Sequence, residues 1–131
     1  MAVPYSGMAE EHASKPLVGL LSDRTYVDQS IHQIAFGSCN KPIRDQGFWD
    51  VIRAKEPDVM LLLGDNHYGN TSDPVRLKKA YDSLSAIPEY HAFREKVPTF
   101  PTWDNHDYGA KYLGRFHPHA EEGEQLFLDH F

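Results

Sequence analysis

Three short apolar runs, each followed at once by polar residues, constrain this chain more than any other feature of its sequence. The apolar runs occupy residues 34–36, 59–63 and 97–102. The polar clusters that follow them are GSCN at residues 37–40, GDNHYG at 64–69 and WDNHDYG at 103–109. Because the arrangement recurs three times, we interpret the clusters as parts of one site, in which metal binding is a better explanation than chance crowding of polar residues.

The first two runs and the segment between them predict a strand, a helix and a second strand. Residues 31–37 form the first predicted strand. A helix is predicted over 46–55, where Phe48, Val51 and Ile52 share one face at helical spacing. The continuous apolar run at 59–63 is typical of a strand that is buried on both faces.

The second half of the chain predicts three more helices and a third strand. Asp73 is a good cap for the first of these helices, and Pro74 suits its first turn. Its apolar stripe comprises Leu77, Ala80, Tyr81, Leu84 and Ile87. A short helix then begins at Pro88 with Tyr90 and Phe93 as anchors, and the third strand covers 99–103. The last helix is predicted over 121–129 and should bury Leu126 and Phe127.

This order of elements predicts an α/β fold with a mostly parallel sheet and crossover helices. Strands that alternate with helices form parallel sheets with right-handed crossovers. Sites in such sheets lie beyond the carboxyl ends of the strands, which is where all three polar clusters fall. Residues 1–30 are weakly patterned, and we predict an arm there with at most a short strand at 17–21. The folded domain is predicted to cover 31–131.

Chain length, net charge and cysteine count limit the classes of function that this chain can have. A chain of 131 residues fits one domain, and its net charge of −6 argues against specific nucleic-acid binding. No apolar run approaches the ~20 residues of a membrane span, and no signal peptide is visible, so the compartment stays unknown. The single cysteine excludes an internal disulfide.

Asp65 is the best candidate for a ligand that bridges two metal ions. A carboxylate has two oxygens, and a position at a strand end would hold it rigidly toward the site. The competing interpretation is that Asp65 only caps the turn that follows, for which Gly-Asp-Asn is favourable. The repeated strand-end context favours the ligand.

The cluster at 103–109 offers an oxygen ligand beside an acid. Asn105 has a neutral carbonyl oxygen that suits a hard cation, and His106 can serve as a general acid or hydrogen-bond donor. Asp104 could hydrogen-bond to a metal ligand without contacting the metal itself. Asp107 is a candidate for orienting the ring of His106 through a ring nitrogen. His67 could face either the site or solvent.

Cys39 and Tyr68 each have two interpretations. A free cysteine is most often a small buried hydrophobe, but a thiol bound to a cation loses its proton and becomes a ligand. Tyr68 is either a core aromatic or a phenolate ligand. A trivalent metal such as iron would favour thiolate, phenolate and carboxylate together. A cysteine nucleophile is less attractive because no base is obviously paired with Cys39.

Taken together, these residues resemble the alkaline phosphatase D family of calcineurin-like metallophosphatases. The resemblance lies in the three ordered motifs FGSCN at 36–40, LGDNHY at 63–68 and TWDNHDYG at 102–109, and in QLFLDHF at 125–131. It implies a calcineurin-like α/β sandwich that hydrolyses phosphate monoesters or diesters. The family's site holds iron and calcium around a bridging oxygen or hydroxide.

By this resemblance, Cys39 and Tyr68 would bind iron, Asp65 would bridge the metals and Asn105 would bind calcium. His106 would assist the departing alkoxide. The metals would polarise the phosphoryl oxygens and supply an ionised water for attack. An exported enzyme would suit the family.

The sequence departs from the family in two ways. Residues 108–114 lack an expected Asn-Asp pair, and the resemblance covers only 31–131, the N-terminal half of the catalytic domain. We therefore expect a partial sandwich whose second half is missing, with one apolar sheet face uncovered and too few ligands for calcium. The alternative function is a catalytically incomplete fragment that acts as a binding or oligomerising module through this face.

Overall fold

A parallel three-stranded sheet organises the chain. The computed structural model describes residues 30–112 and 116–131. The strands are β1 (Ile34–Gly37), β2 (Val59–Leu63) and β3 (Thr99–Thr102), in the order β1-β2-β3, with both pairs parallel. This confirms the predicted α/β class and parallel sheet. The predicted arm and its strand at 17–21 lie outside the described residues.

Five helices connect or follow the strands of the described chain. They are α1 (Phe48–Arg53), α2 (Pro74–Ser85), α3 (Pro88–Arg94), α4 (Asn105–Tyr108) and α5 (Ala120–His130). The predicted caps hold, since the carboxylate of Asp73 accepts a hydrogen bond from the amide of Val75 at the start of α2. The four-residue helix α4 was not predicted, because the sequence offers no apolar period over so short an element.

The helices pack on one face of the sheet. A sheet that advances in the order β1-β2-β3 through right-handed crossovers carries both connections on the same side. Met60 and Leu62 point to this side and are buried in a core with Trp49, Leu77, Tyr81, Leu84, Tyr90, Phe93, Val97, Phe127 and Phe131. The predicted anchors Tyr90 and Phe93 are thus confirmed.

The opposite face of the sheet exposes apolar side chains. Phe36 is 72% exposed and Leu63 51% exposed. Phe36 is in register with Leu61, which is in register with Phe100, so an apolar row crosses all three strands, with Leu61 and Phe100 half-buried. The prediction that β2 is buried on both faces is therefore wrong: among the described residues, helices cover only the Met60 side.

Helix α1 buries a different face from the predicted one. Trp49 is almost fully buried, whereas Phe48 is 41% and Val51 64% exposed. Ile52 packs against the core, as predicted. The ring of Trp49 lies 5.0 Å from the rings of both Tyr90 and Phe93, so aromatic contacts with α3 determine how α1 is rotated.

No helix among the described residues is long and apolar enough to cross a membrane.

His130, near the end of α5, is a buried histidine in the core. Its ring lies 4.8 Å from the ring of Tyr81, and its Nδ1 is 3.2 Å from Ser85 Oγ. Burial lowers the pKa of His130 to about 3, and the charge of Arg94 acts in the same direction. His130 is therefore held neutral in the folded chain.

We predict that His130 contributes to acid sensitivity of the fold. Its folded pKa lies below its ordinary value of 6.5, so the unfolded chain binds more protons in the interval between the two. The free energy of unfolding should therefore fall as pH falls below about 6.5. For this one group the loss should reach up to about 2 kcal/mol at about pH 5.

Urea denaturation between about pH 5 and about pH 7 would measure this effect in the wild type, in His130→Gln and in His32→Gln. His32 is exposed and serves as the matched control. The pH slope should be shallower in His130→Gln and unchanged in His32→Gln. Equal slopes for all three chains would contradict the prediction.

Candidate active site

The three polar clusters meet at the carboxyl end of the sheet, as the sequence predicts. The loop after β1 continues the strand pairing beyond the strands themselves. The amide of Cys39 donates a hydrogen bond to the backbone carbonyl oxygen of Gly64 at 3.1 Å. The amide of Asn40 donates to the backbone carbonyl oxygen of Asp65 at 3.0 Å. These two hydrogen bonds fix the first loop against the second.

The carboxylate of Asp65 joins all three loops. Its Oδ2 lies 3.7 Å from Cys39 Sγ and accepts a hydrogen bond from the Tyr68 hydroxyl at 3.0 Å. Its Oδ1 accepts a longer hydrogen bond, 3.3 Å, from the backbone amide of His106. Only 8% of Asp65 is exposed. A residue that merely capped its own turn would not need contacts with the other two loops.

The backbone is strained at two of the candidate ligands. Cys39 has φ 61° and Asp65 has φ 53°, a left-handed conformation that non-glycine residues adopt infrequently and that costs free energy. Gly64, with φ 95°, precedes Asp65, and a Cβ atom there would lie 2.9 Å from the Cβ of Asp104. A glycine is therefore required where the second loop passes the third.

Cys39 is exposed, which excludes the interpretation of a small buried hydrophobe. Tyr68 is half-buried, and its ring lies 4.3 Å from the ring of His106. Burial raises the pKa of the Tyr68 hydroxyl, and hydrogen bonds with Cys39 and Asp65 raise it further. The thiol, the phenol and the carboxylate are thus mutual neighbours.

Asp107 has a structural role instead of orienting His106. It is 1% exposed, and its carboxylate accepts hydrogen bonds from the Asn66 amide at 2.9 Å, the Asn66 side chain at 3.1 Å and the Asp104 amide at 2.9 Å. Burial raises the pKa of Asp107 to about 6, although these hydrogen bonds oppose the rise. The Nδ1 atom of His106 has no hydrogen-bond partner among the described residues, so the predicted Asp107–His106 contact is absent there.

Asp104 and Asn105 lie at the start of α4. Asp104 caps this helix through a hydrogen bond from the amide of Asn105, and it is exposed. Asn105 is half-buried, one residue before His106. The hydrogen bonds of the described residues do not join the Asn105 side chain to Asp65, so its assignment as a ligand stays a prediction.

Buried polar atoms without partners surround the cluster. They are both side-chain amide atoms of Asn40, Nε2 of His67 and Nδ1 of His106, and none has a hydrogen-bond partner among the described residues. Unpaired buried polar groups are costly, so those near a polar loop indicate a place where a ligand is expected. Asn40 was not predicted as a site residue; its only sequence signal is its position beside Cys39.

His67 is fully buried and neutral. Its Nδ1 accepts a hydrogen bond from the amide of Gly69 at 3.0 Å, which leaves the proton on Nε2. Burial lowers the pKa of His67 to about 4, and the nearby His106 acts in the same direction. His67 therefore faces the interior and not the solvent.

The candidate donor atoms around Asp65 are of mixed sulfur and oxygen type. No group of three His, Cys, Asp or Glu side chains suited to a metal occurs in the described part of the chain. The cluster at Asp65 instead places a thiol and a phenol each within hydrogen-bonding distance of the same carboxylate oxygen. Such a set of potential anions suits a highly charged cation such as ferric iron.

We predict that Asp107 holds the third loop in place. Replacing it with alanine leaves the amides of Asn66 and Asp104 without acceptors, which should lower the free energy of unfolding by about 2–4 kcal/mol. Asp129 is exposed and accepts a surface hydrogen bond from Gln125, so Asp129→Ala is a matched control that should change stability by less than about 0.5 kcal/mol. Chemical denaturation measures both variants, and similar losses would contradict the assignment.

Comparison of the chain with protein-family models, with curated proteins and with solved structures found no match.

Proposed function

We propose that this chain hydrolyses phosphate esters with the help of metal ions held at the Asp65 cluster. The observation that carries the proposal is the sharing of one buried carboxylate by all three loops. Asp65 contacts the thiol of Cys39, the hydroxyl of Tyr68 and the amide of His106. The same three loops carry the motifs that resemble the alkaline phosphatase D family.

In the proposed site, Cys39, Asp65 and Tyr68 would hold iron, and Asp65 and Asn105 would hold calcium. When bound, these ions would polarise the phosphoryl oxygens and lower the pKa of an attacking water. The αL backbone at Cys39 and Asp65 keeps both side chains turned toward the shared position. The fixed loops would therefore need little rearrangement on binding.

His106 is the proposed donor of a proton to the departing alkoxide. Its backbone amide is bonded to Asp65 Oδ1, and its ring packs on Tyr68, so both ends of the residue are positioned by the cluster. Its Nδ1 is buried and has no partner among the described residues, so this nitrogen is not committed to another protein group. A proton transferred there would neutralise the leaving group as the ester bond breaks.

The proposal predicts that Asp65→Asn removes both metal binding and activity. Asparagine keeps the size of the side chain but loses the negative charge and one acceptor oxygen, so phosphodiester turnover should fall by at least about 100-fold. Elemental analysis of the purified chain and turnover of bis(p-nitrophenyl) phosphate with and without chelator measure the two effects. Asp50→Asn on the exposed face of α1 is the control and should retain both properties.

The variant Tyr68→Phe tests the proposed metal site by absorption spectroscopy. A phenolate bound to ferric iron gives a charge-transfer band in the visible range, so titration of the chain with ferric iron should produce a phenolate band that Tyr68→Phe lacks. Retention of metal and full turnover in Asp65→Asn would refute the bridging role. A wild-type chain that binds no metal and shows no turnover would refute the proposed function.

A second candidate function is supported by the exposed apolar face of the sheet. Phe36, 72% exposed, and Leu63, 51% exposed, stand on the side opposite the helices. A row of apolar residues of this kind favours a binding or oligomerising module. Ile34, 53% exposed, extends the row toward the amino end of β1.

For a binding or oligomerising module, we predict self-association or partner binding that depends on the exposed apolar residues Phe36 and Leu63. Light scattering after size-exclusion chromatography should show a concentration-dependent mass that Phe36→Ser lowers toward the monomer. Ile43→Ser is the control, because Ile43 is 92% exposed but lies outside the strands. A monomer at all concentrations that binds no apolar dye would exclude this function.

A further inference from the structure

A cleft beside the Asp65 cluster has one apolar side and one cationic side. It lies between α1 and the loop at 38–46, has a volume of about 480 Å³, and reaches Cys39 and Asp65 at one end. Its apolar lining comprises Phe36, Phe48, Trp49, Ile52, Met60 and Leu62. This volume is within the range of cavities that bind small organic molecules.

The loop that forms the cationic side is fixed by a buried glutamine. Gln46 is 7% exposed, and its Nε2 donates to the carbonyl oxygens of Lys41 at 3.0 Å and Arg44 at 3.3 Å. Its Oε1 accepts a hydrogen bond from the indole of Trp49 at 2.9 Å. The backbone of Lys41 and Arg44 is therefore tied to the floor of the cleft, while their side chains line its rim.

Lys41 and Arg44 are available to an anion. Neither forms an ion pair with any residue that the structure describes, although the chain as a whole carries a net charge of −6. The carboxylate of Asp45 also lines the cleft, but its Oδ1 accepts the amide hydrogen of Gly47 at 2.9 Å. Two cations without ion-pair partners at one cleft point to an anionic ligand there.

Lys41 connects the cleft to the proposed catalytic cluster. Its Nζ lies 5.0 Å from the ring centre of Tyr68, whose hydroxyl is 3.0 Å from Asp65 Oδ2. Asn40, which lines the same cleft, has two buried side-chain atoms without partners among the described residues. A phosphate at this end would meet the ammonium group of Lys41 while an attached organic group occupied the apolar part.

We propose that this cleft selects phosphate esters with an aromatic alcohol group. Lys41 and Arg44 bind the phosphate oxygens, and Phe48 and Trp49 contact the aromatic group. The inference rests on the proposed function for the identity of the anion, since only an esterase site would require a phosphate at Asp65. It adds a preference that the three motifs do not specify.

Binding of 1-naphthyl phosphate to the whole chain, measured with chelator present, tests the cleft independently of metal and turnover. The two tryptophans supply the readout as ¹⁵N-labelled indole signals. Trp49 lines the cleft, whereas Trp103 packs on Tyr108 and Phe127 and serves as an internal reference. Trp103→Phe assigns the two signals.

The titration should shift the Trp49 signal and leave the Trp103 signal unchanged. Naphthyl phosphate should bind at least about tenfold more tightly than methyl phosphate, because only the former buries an aromatic ring. Lys41→Ala and Arg44→Ala should each weaken binding roughly fivefold. Lys79→Ala and Arg76→Ala, which remove exposed cations of α2 outside the cleft, are the matched controls and should have no effect.

The variant Phe48→Ala distinguishes the contribution of the apolar side of the cleft to binding from that of its cationic side. Phe48 is 41% exposed, so its loss should leave the fold intact, as thermal denaturation would verify. It should weaken naphthyl phosphate binding and leave methyl phosphate binding unchanged. Equal affinity for the two esters, an unshifted Trp49 signal, or equal effects of Lys41→Ala and Lys79→Ala would each overturn the inference.

The same experiment distinguishes failure of the cleft from failure of the proposed function. Stoichiometric metal and phosphodiester turnover without naphthyl phosphate binding would overturn the cleft alone. Lys41-dependent binding in a chain that neither holds metal nor turns over ester would overturn the phosphoesterase function while supporting the cleft as an aryl phosphate site.

Discussion

Parallel pairing of β2 with both of its neighbours is the constraint on which the site depends. Adjacent strands lie only about 5 Å apart, so loops that leave the same edge of the sheet are within side-chain reach of one another. The registers place Gly37 beside Leu62 and Thr102 beside Leu63, so all three strands end together. Asp65 follows the central strand and is the residue that both flanking loops can reach.

Bringing these loops together has a cost in stability that the core must offset. Left-handed backbone at Cys39 and Asp65 costs of the order of 1–3 kcal/mol at each residue. The buried carboxylate of Asp107 and the buried ring of His67 add desolvation penalties, which explains why their pKa values shift toward the neutral forms. Buried titratable groups with shifted pKa values beside one sheet edge are features of functional sites more than of structural loops.

The order in which the strands pair explains two surface features of the described chain, the exposed apolar face of the sheet and the cleft beside the Asp65 cluster. Because the strands advance one way, the helices cover the Met60 side and leave Phe36 and Leu63 exposed on the other. β1 lies at one edge of the sheet that the described residues form, and α1 and the loop that precedes it enclose the cleft lined by Lys41. The strand order β1-β2-β3 therefore accounts for both the uncovered apolar face of the described sheet and the cleft beside the candidate site.

The sequence by itself determined the α/β class, the strand at 59–63 and the cap at Asp73, because these depend on local periodicity and capping chemistry. It also indicated that the loops after β1, β2 and β3 would meet, since parallel strands end at one edge. Local patterns cannot specify contacts between distant residues. Only the tertiary structure decided that Asp107 bonds Asn66 instead of His106, and that Trp49 instead of Phe48 is buried. Those outcomes depend on which neighbour each side chain meets after the strands and helices have packed.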